Sequence, residues 1–275
     1  MSGKLYVVGT PIGNLGDFSP RAAETLAKVD FIAAEDTRVT LKLLNHFDIH
    51  TPLISYHDHN RITKGDYVVD RILAGEDCAV VSDAGMPAIS DPGEDLVRLC
   101  RERGIEVVSV PGPSAVVTAL ALSGMDCSRF CFEGFLSVNK PSRREHLDAV
   151  KNERRTLVFY EAPHKLLNTL TDMLASFGDR EIALVKELTK IYENVHKTTL
   201  SEAVEFYAQN VPKGEYVLII EGAKEKAIEQ MSFDDAVKLA KSYVADGMTA
   251  AKAAKRASAE SQVARSELYK AITQN

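Results

Sequence analysis

The first 125 residues alternate two hydrophobic patterns. Short, continuously apolar runs at residues 5–8, 31–34, 52–55, 78–81 and 107–110 have the length and composition of strands buried on both faces. Between them, apolar residues recur at helical spacing over 20–28, 39–46, 61–74, 93–103 and 114–122. Gly75 and Gly104 stand where two of these helices should stop. Strand and helix in turn predict a largely parallel sheet covered by helices, with ligands bound beyond the carboxyl ends of its strands.

Beyond residue 125 the pattern loosens. Residues 130–133, 156–160, 182–186 and 216–221 read as strands, and 143–152, 165–176 and 201–209 as helices. The stretch 190–199 alternates and predicts an antiparallel partner for a neighbouring strand. From Ser232 onward no strand pattern occurs. Ser232 with Asp235 opens one helix in capping style, Gly247 and Thr249 interrupt it, an Ala-rich helix runs to about 259, and a third spans about 263–272. These three fit either a small helix-turn-helix unit or a helical cap on the second domain. The expected division is an N-terminal α/β domain over 1–124, a second α/β domain over 125–228 and a helical extension over 229–275.

Composition narrows the class. The 275 residues are 45% hydrophobic and 26% charged with a net charge of −6, ordinary for a globular enzyme and unlike a chain coated in basic surface. No charged start with an apolar leader is visible, and no apolar stretch is long enough for a membrane span, so no membrane partner is expected. The four cysteines form no C-x-x-C pair and read as reduced thiols, which places the chain in the cytoplasm. Metal is not expected. His57-Asp58-His59 is the one tempting triplet, and residues two apart point in different directions on either kind of element.

Three unusual loops follow predicted strands. They are Gly9-Thr10-Pro11-Ile12-Gly13-Asn14-Leu15-Gly16, Ser82-Asp83-Ala84-Gly85-Met86-Pro87 continuing to Gly93, and Pro111-Gly112-Pro113-Ser114-Ala115. Gly and Pro punctuate many connections. Three such loops on one sheet edge predict a shared pocket, because small residues let backbone approach a ligand closely. Ser114 is expected to cap the helix it precedes. Neither G-x-G-x-x-G nor G-x-x-x-x-G-K-[ST] occurs, so nucleotide phosphates have no evident cradle. A ligand with an adenosine, a sulfonium and an amino acid but no phosphate fits that absence, and Asp83 suits a ribose hydroxyl or an amino group.

These loops, with Ala34-Glu35-Asp36-Thr37-Arg38, Phe132-Glu133-Gly134-Phe135, Phe159-Tyr160-Glu161-Ala162-Pro163-His164 and Lys186-Glu187-Leu188-Thr189-Lys190, resemble those of the ribosomal small-subunit RNA cytidine 2′-O-ribose methyltransferases. That group belongs to the tetrapyrrole methylase, or class III, fold. The resemblance spans residues 5–222 with motifs in order. It implies an α/β protein of two domains with a helical extension, a homodimer, and S-adenosylmethionine held between the domains. It further implies that Thr10, Pro11, Ser82, Asp83, Ala84, Gly85, Met86, Pro87, Ser114 and Ala115 form one wall of the donor site. Tyr160, Ala162, Pro163, Leu188 and the backbone around 214–216 form the other.

Methyl transfer to a ribose hydroxyl is largely a matter of alignment, helped by a group that takes or orients the proton. Glu35, Asp36 and Lys186, at predicted strand ends, are the candidates, with Glu187 beside the last. For RNA contact, Arg38 and the polar loop of Tyr56, His57 and Arg61 are candidates. So are two basic stretches of net +3 each, 139–155 with Arg143 and Arg144, and 249–275. A corrin or porphyrin precursor as acceptor, and a non-catalytic nucleic-acid-binding regulator built on the terminal helices, are the rival expectations.

Overall fold

The computed structural model describes residues 2–57, 60–224 and 231–274, without the side chains of Arg61 and Ile62. The chain divides into two compact units, Met1–Ala223 and Lys224–Asn275.

The first unit carries two five-stranded sheets among its described residues. In the first, strands β1 (Lys4–Val8), β2 (Phe31–Ala34), β3 (Leu53–Ser55), β4 (Cys78–Val81) and β5 (Glu106–Val110) are all parallel, in the order β3-β2-β4-β1-β5. Every residue of β2 and β4 is buried, as their unbroken apolar runs require. Helices α1 (Pro20–Lys28) and α2 (Thr37–His46) cover one face. There Leu26 and Leu44 pack on Ile32, Ala34 and Val81. Helices α3 (Arg61–Leu73) and α4 (Glu94–Glu102) cover the other, where Ile72 and Leu96 pack on Leu5, Ala33 and Val80. Helix α1 begins as its sequence dictates: Ser19 accepts a bond from the Ala22 amide at 3.1 Å, and Pro20 follows in the first turn.

The second sheet is mixed. Strands β6 (Phe130–Phe135), β7 (Thr156–Glu161), β8 (Glu181–Lys186), β9 (Asn194–Thr199) and β10 (Tyr216–Ile220) run in the order β6-β7-β10-β8-β9. Only the β6–β7 pair is parallel. The alternation expected over 190–199 resolves into a turn at 190–193 and then β9, antiparallel to β8. Helices α6 (Lys140–Val150), α7 (Leu166–Phe177) and α8 (Leu200–Gln209) bury Leu147, Leu170 and Leu200 against Leu157, Phe159 and Leu218. The opposite face, made by Val158, Ala183, Val185, Val217 and Ile219, is covered by Val116, Ala119 and Leu120 of α5 (Ala115–Ser123).

Helix α5 therefore leaves the first sheet, directly after β5, and packs on the second. The expectation that it would cover the first sheet is corrected here. Its sequence is apolar all round, and such a helix seeks cover on more than one side. That crossing joins the two halves and places the carboxyl edge of the first sheet beside β7, β8 and β10.

The second unit contains α9 (Phe233–Ala245), α10 (Ala250–Ser261) and α11 (Arg265–Thr273), packed on one another through Ala236, Ala240, Ala254, Ala257 and Leu268. Ser232 caps α9 as its sequence indicates, accepting from the Asp235 amide at 3.1 Å. Gln262, in the left-handed region at φ 59°, turns the chain from α10 to α11. No helix among the described residues is long and apolar enough to cross a membrane. All four cysteines are free thiols.

The loops after β1 and β5 meet backbone to backbone at Gly9 and Gly112. A Cβ on Gly112 would lie 2.8 Å from the Gly9 Cα. Gly112→Ala should therefore force the loops apart and cost about 1–3 kcal/mol, the usual penalty of overpacking. A urea-unfolding midpoint equal to wild type would contradict this.

Candidate functional site

Three loops of the first half are tied into one surface. The Thr10 amide donates to the Gly85 carbonyl at 2.9 Å, and the Gly85 amide returns a bond to the Thr10 carbonyl at 3.2 Å. The buried Thr10 hydroxyl adds a bond to the Ser82 carbonyl at 3.2 Å. Gly85 sits at φ +88°, where a side chain would be strained. A Cβ on Gly9 would lie 2.8 Å from Met86 Sδ, so the β4 loop presses against the same point.

Between these loops and the second sheet lies a cavity of about 310 Å³. Ile12, Asp83, Ala84, Gly85 and Met86 form its first wall, with Glu35 at the end of β2 and Ser114 and Ala115 at the start of α5. Tyr160, Ala162, Val185 and Leu188 face them, and Glu215, Tyr216 and Val217 close the far side. Ile89, Asp91, Phe135 and Glu161 complete the lining.

The structure thus brings together nine residues expected in a donor site: Asp83, Ala84, Gly85, Met86, Ser114, Ala115, Tyr160, Ala162 and Leu188. Thr10, Pro11, Ser82, Pro87 and Pro163 are not in the lining. Thr10 and Ser82 are buried ties beneath it. Ser114 occupies the cap position of α5, but its side chain makes no capping bond. Glu161, within the expected 160–163 wall, also lines it, whereas Ile12, Ile89, Asp91, Phe135, Val185 and Val217 were not foreseen as lining residues. Asp91 and Ile12 lie within the Gly/Pro-rich loops, a signal that could have found them. Phe135 depends on a register shift in β6 after Phe132 that no sequence pattern shows.

The electrostatics are one-sided. Five acidic residues line the cavity, Glu35, Asp83, Asp91, Glu161 and Glu215, and no Lys, Arg or His does so among the described residues. Glu161 is committed to its own neighbourhood, accepting from the Ala162 amide at 2.8 Å and from the Thr169 hydroxyl at 2.5 Å. Glu215 reaches Lys190 at 3.3 Å. Asp83 accepts from the Asp36 amide at 3.0 Å, while its own amide donates to Glu35 Oε2 at 3.2 Å. Burial pushes the Asp83 carboxyl above the ordinary aspartate value, against the pull of the Asp36 amide. Burial, with the charge of Asp91, pushes the Tyr160 hydroxyl up to about 12. Four residues in two loops beside the cavity hold left-handed backbone without being glycine: Ala88, Ser90, Glu187 and Thr189. Such strain collects at functional sites.

Of the three expected proton acceptors, Glu35 lines the cavity and the others do not. Asp36 caps α2, accepting from the Arg38 amide at 2.8 Å, and its carboxylate binds Arg38 Nη2 at 2.6 Å. The Arg38 guanidinium holds that carboxyl at about 2, below the ordinary aspartate value. Lys186 ends β8, paired in the ladder with Tyr216 and Asn194.

The expected RNA contacts separate sharply. Tyr56 is 1% exposed and belongs to the core beneath α3 and α4, away from the surface expected of it. The His57 amide donates to Asn60, closing a local turn. Asp58, His59 and the side chain of Arg61 lie outside the described residues. Among the described residues no group of three His, Cys, Asp or Glu is arranged to hold a metal ion. Arg38 is exposed and paired with Asp36. Arg143, whose side chain is 12% exposed, binds Asp172 at 2.6 Å and the Ser137 carbonyl at 3.2 Å, whereas Arg144 is 60% exposed. Arg143 is thus a structural cation, because Asp172 on α7 is nearly buried and needs it.

A parallel sheet joined to a mixed sheet, with an acid-lined cavity at the strand ends between them, defines a two-halved α/β protein with a pocket sized for a small ligand. The family model of tetrapyrrole (corrin/porphyrin) methylases matches residues 4–204, and the chain belongs to that family. A protein of Synechocystis sp. named ribosomal RNA small subunit methyltransferase I is 47% identical, over 97% of this chain and 96% of its own length. Proteins of the same name from Halalkalibacterium halodurans and Bacillus subtilis are 46% and 42% identical, over 97% and 98% of this chain and 93% and 94% of theirs. Among solved structures, diphthine synthase superposes with a TM-score of 0.65 at 12% identity, covering 80% of this chain and 90% of that one. Uroporphyrin-III-C-methyltransferase from Thermus thermophilus gives 0.57 at 19%, covering 80% and 94%. The last two share the fold, as the class III expectation required.

Arg143→Ala should cost about 3–5 kcal/mol by removing the close partner of the nearly buried Asp172 and leaving it only the exposed Arg144 at 3.9 Å, and Arg144→Ala less than about 0.5 kcal/mol. Urea unfolding of the two variants checks this, and equal midpoints would refute the structural role of Arg143.

Proposed function

We propose that the chain methylates small-subunit ribosomal RNA on the 2′-oxygen of a cytidine ribose, with S-adenosylmethionine as donor. The observation that carries the acceptor is near full-length identity of 42–47% to proteins named for small-subunit ribosomal RNA methylation. The cavity supports the donor. A lining that holds Glu35, Asp83, Asp91, Glu161 and Glu215 and, among the described residues, no Lys, Arg or His favours a ligand that brings positive charge, and disfavours the phosphates of an ordinary nucleotide. The tetrapyrrole reading gains nothing comparable, since the solved uroporphyrin-III-C-methyltransferase is 19% identical. The reading includes a homodimer acting in the cytoplasm on ribosomal RNA or the small subunit.

When bound, the donor supplies a methyl group on a sulfonium, a leaving group already activated. The chain's residues do the rest. Small residues at Ala84, Gly85 and Ala115 let backbone come close to an adenosine, and Asp83 offers its carboxylate to a hydroxyl or an ammonium. Tyr160, its proton held by a raised pKa, serves as a neutral wall and hydrogen-bond donor. Glu35 stands at the neighbouring strand end, its carboxylate accepting the Asp83 amide, and takes or orients the proton of the acceptor hydroxyl.

The test is transfer of a tritiated methyl group to small ribosomal subunits from cells lacking this protein, followed by mapping of the modified nucleotide. Incorporation at one cytidine ribose is expected, and its absence from all ribosomal RNA would reject the reading. Glu35→Gln should lower kcat by roughly 10²–10⁴-fold with donor affinity unchanged; an undiminished kcat removes Glu35 from the role.

Donor affinity should also depend on pH through Asp83. The ionised carboxylate attracts the cationic donor, and protonation removes that attraction. Affinity is therefore steady above the raised Asp83 pKa and weakens as pH falls through it, earlier than an ordinary aspartate would allow. Calorimetric titration of Asp83→Asn should lose this dependence; an identical profile in the variant would contradict the assignment.

A further inference from the structure

Two large apolar side chains line the cavity yet stay half open to solvent: Phe135 at 55% and Ile89 at 52% exposure. Both are held by backbone that ordinary sequence avoids. Ile89 lies between Ala88 and Ser90, at φ 70° and 65°. Phe135 follows Gly134, at φ +65°, where the β6–β7 register shifts so that Phe135 stands opposite Tyr160. Without that shift the position opposite Tyr160 would fall to Gly134. The two segments also touch, since a Cβ on Gly134 would lie 3.1 Å from Ser90 Oγ. Behind Phe135 stands the Tyr160 ring, 5.3 Å between centroids, itself backed by Phe132 at 4.9 Å.

We propose that Phe135 and Ile89 form a clamp for one nucleobase of the acceptor RNA, swung out of its stack so that its ribose enters the cavity. This rests on the reading of the chain as a ribosomal RNA methyltransferase. The carboxylate-rich interior suits a cation and repels phosphate, so the acceptor must be gripped by its base rather than by its backbone within the cavity. A flat aromatic ring with a branched aliphatic side chain near it is the chemistry that holds an unstacked base. Phosphate contacts then fall outside, where α6, following β6 in the chain, presents the exposed Arg144. Stacking on one aromatic ring contributes about one to two orders of magnitude in affinity, which offsets part of the cost of extruding the nucleotide.

The test uses the full-length protein, unmodified small ribosomal subunits and saturating S-adenosylmethionine, with donor affinity measured separately by calorimetry. Phe135→Ala and Phe135→Leu should lower kcat/KM for subunits by about 10- to 100-fold, mainly through KM, with donor affinity within about twofold. Phe135→Trp, which keeps a stacking face, should retain activity within about threefold, and Ile89→Ala should show a smaller loss than Phe135→Ala. Equal activity of the Leu and Trp variants would overturn the clamp. So would a fall in donor affinity that matches the fall in kcat/KM, because Phe135 would then belong to the donor. If the wild-type protein methylates no subunit RNA, the functional reading itself falls and takes the clamp with it. If it does methylate and Phe135→Leu is unaffected, the clamp alone falls.

Discussion

The contact between Gly9 and Gly112 is the constraint on which the rest of the site depends. Two backbones pass at a distance that excludes any side chain on either residue, with 2.7 Å separating a would-be Gly9 Cβ from the Gly112 nitrogen. That approach sets the β1 loop beside the β5 loop, and the paired bonds of Thr10 and Gly85 then draw in the β4 loop. It also fixes where α5 starts, three residues after Gly112. Because α5 then covers the second sheet, the same contact fixes how the facing wall of Tyr160, Leu188 and Val217 meets the first.

Charge is the second organising feature. A carboxylate set in a recess loses hydration, and the rise in the Asp83 pKa is the local measure of that cost. Some of the burden is relieved within the protein, by Thr169 at Glu161 and by Lys190 at Glu215. Positive charge brought by a ligand would offset the cost at Asp83 further. The strained residues at 88, 90, 187 and 189 lie on loops that border this recess, and strain of that kind persists where surrounding packing holds it. In this account the donor's charge decides what the interior accepts, and acceptor choice belongs to the rim.

Much of this was legible in the sequence, and the failures have physical reasons. Unbroken apolar runs such as 31–34 and 78–81 can only be strands covered on both faces, and their glycine-rich exits marked the carboxyl edge. The convergence of three loops followed from parallel strands alone. What local pattern could not show was pairing at a distance. Arg143 looked like a surface cation because Asp172 lies 29 residues away on another helix. Tyr56 sits next to polar residues, yet the packing of α3 and α4 encloses its ring. Asp36 resembled a free base until the turn brought Arg38 onto it. The register shift that places Phe135 opposite Tyr160 arises from strand pairing, which hydrophobic periodicity does not encode.

The central claim is that the cavity selects its ligand by charge. The most direct measurement compares, by calorimetry at one ionic strength, the binding of S-adenosylmethionine and of ATP, which share an adenosine and carry opposite charge. The account predicts one S-adenosylmethionine per chain and no measurable ATP binding at the same concentration. Comparable affinity for ATP would contradict it, because a lining rich in acidic residues disfavours a triphosphate.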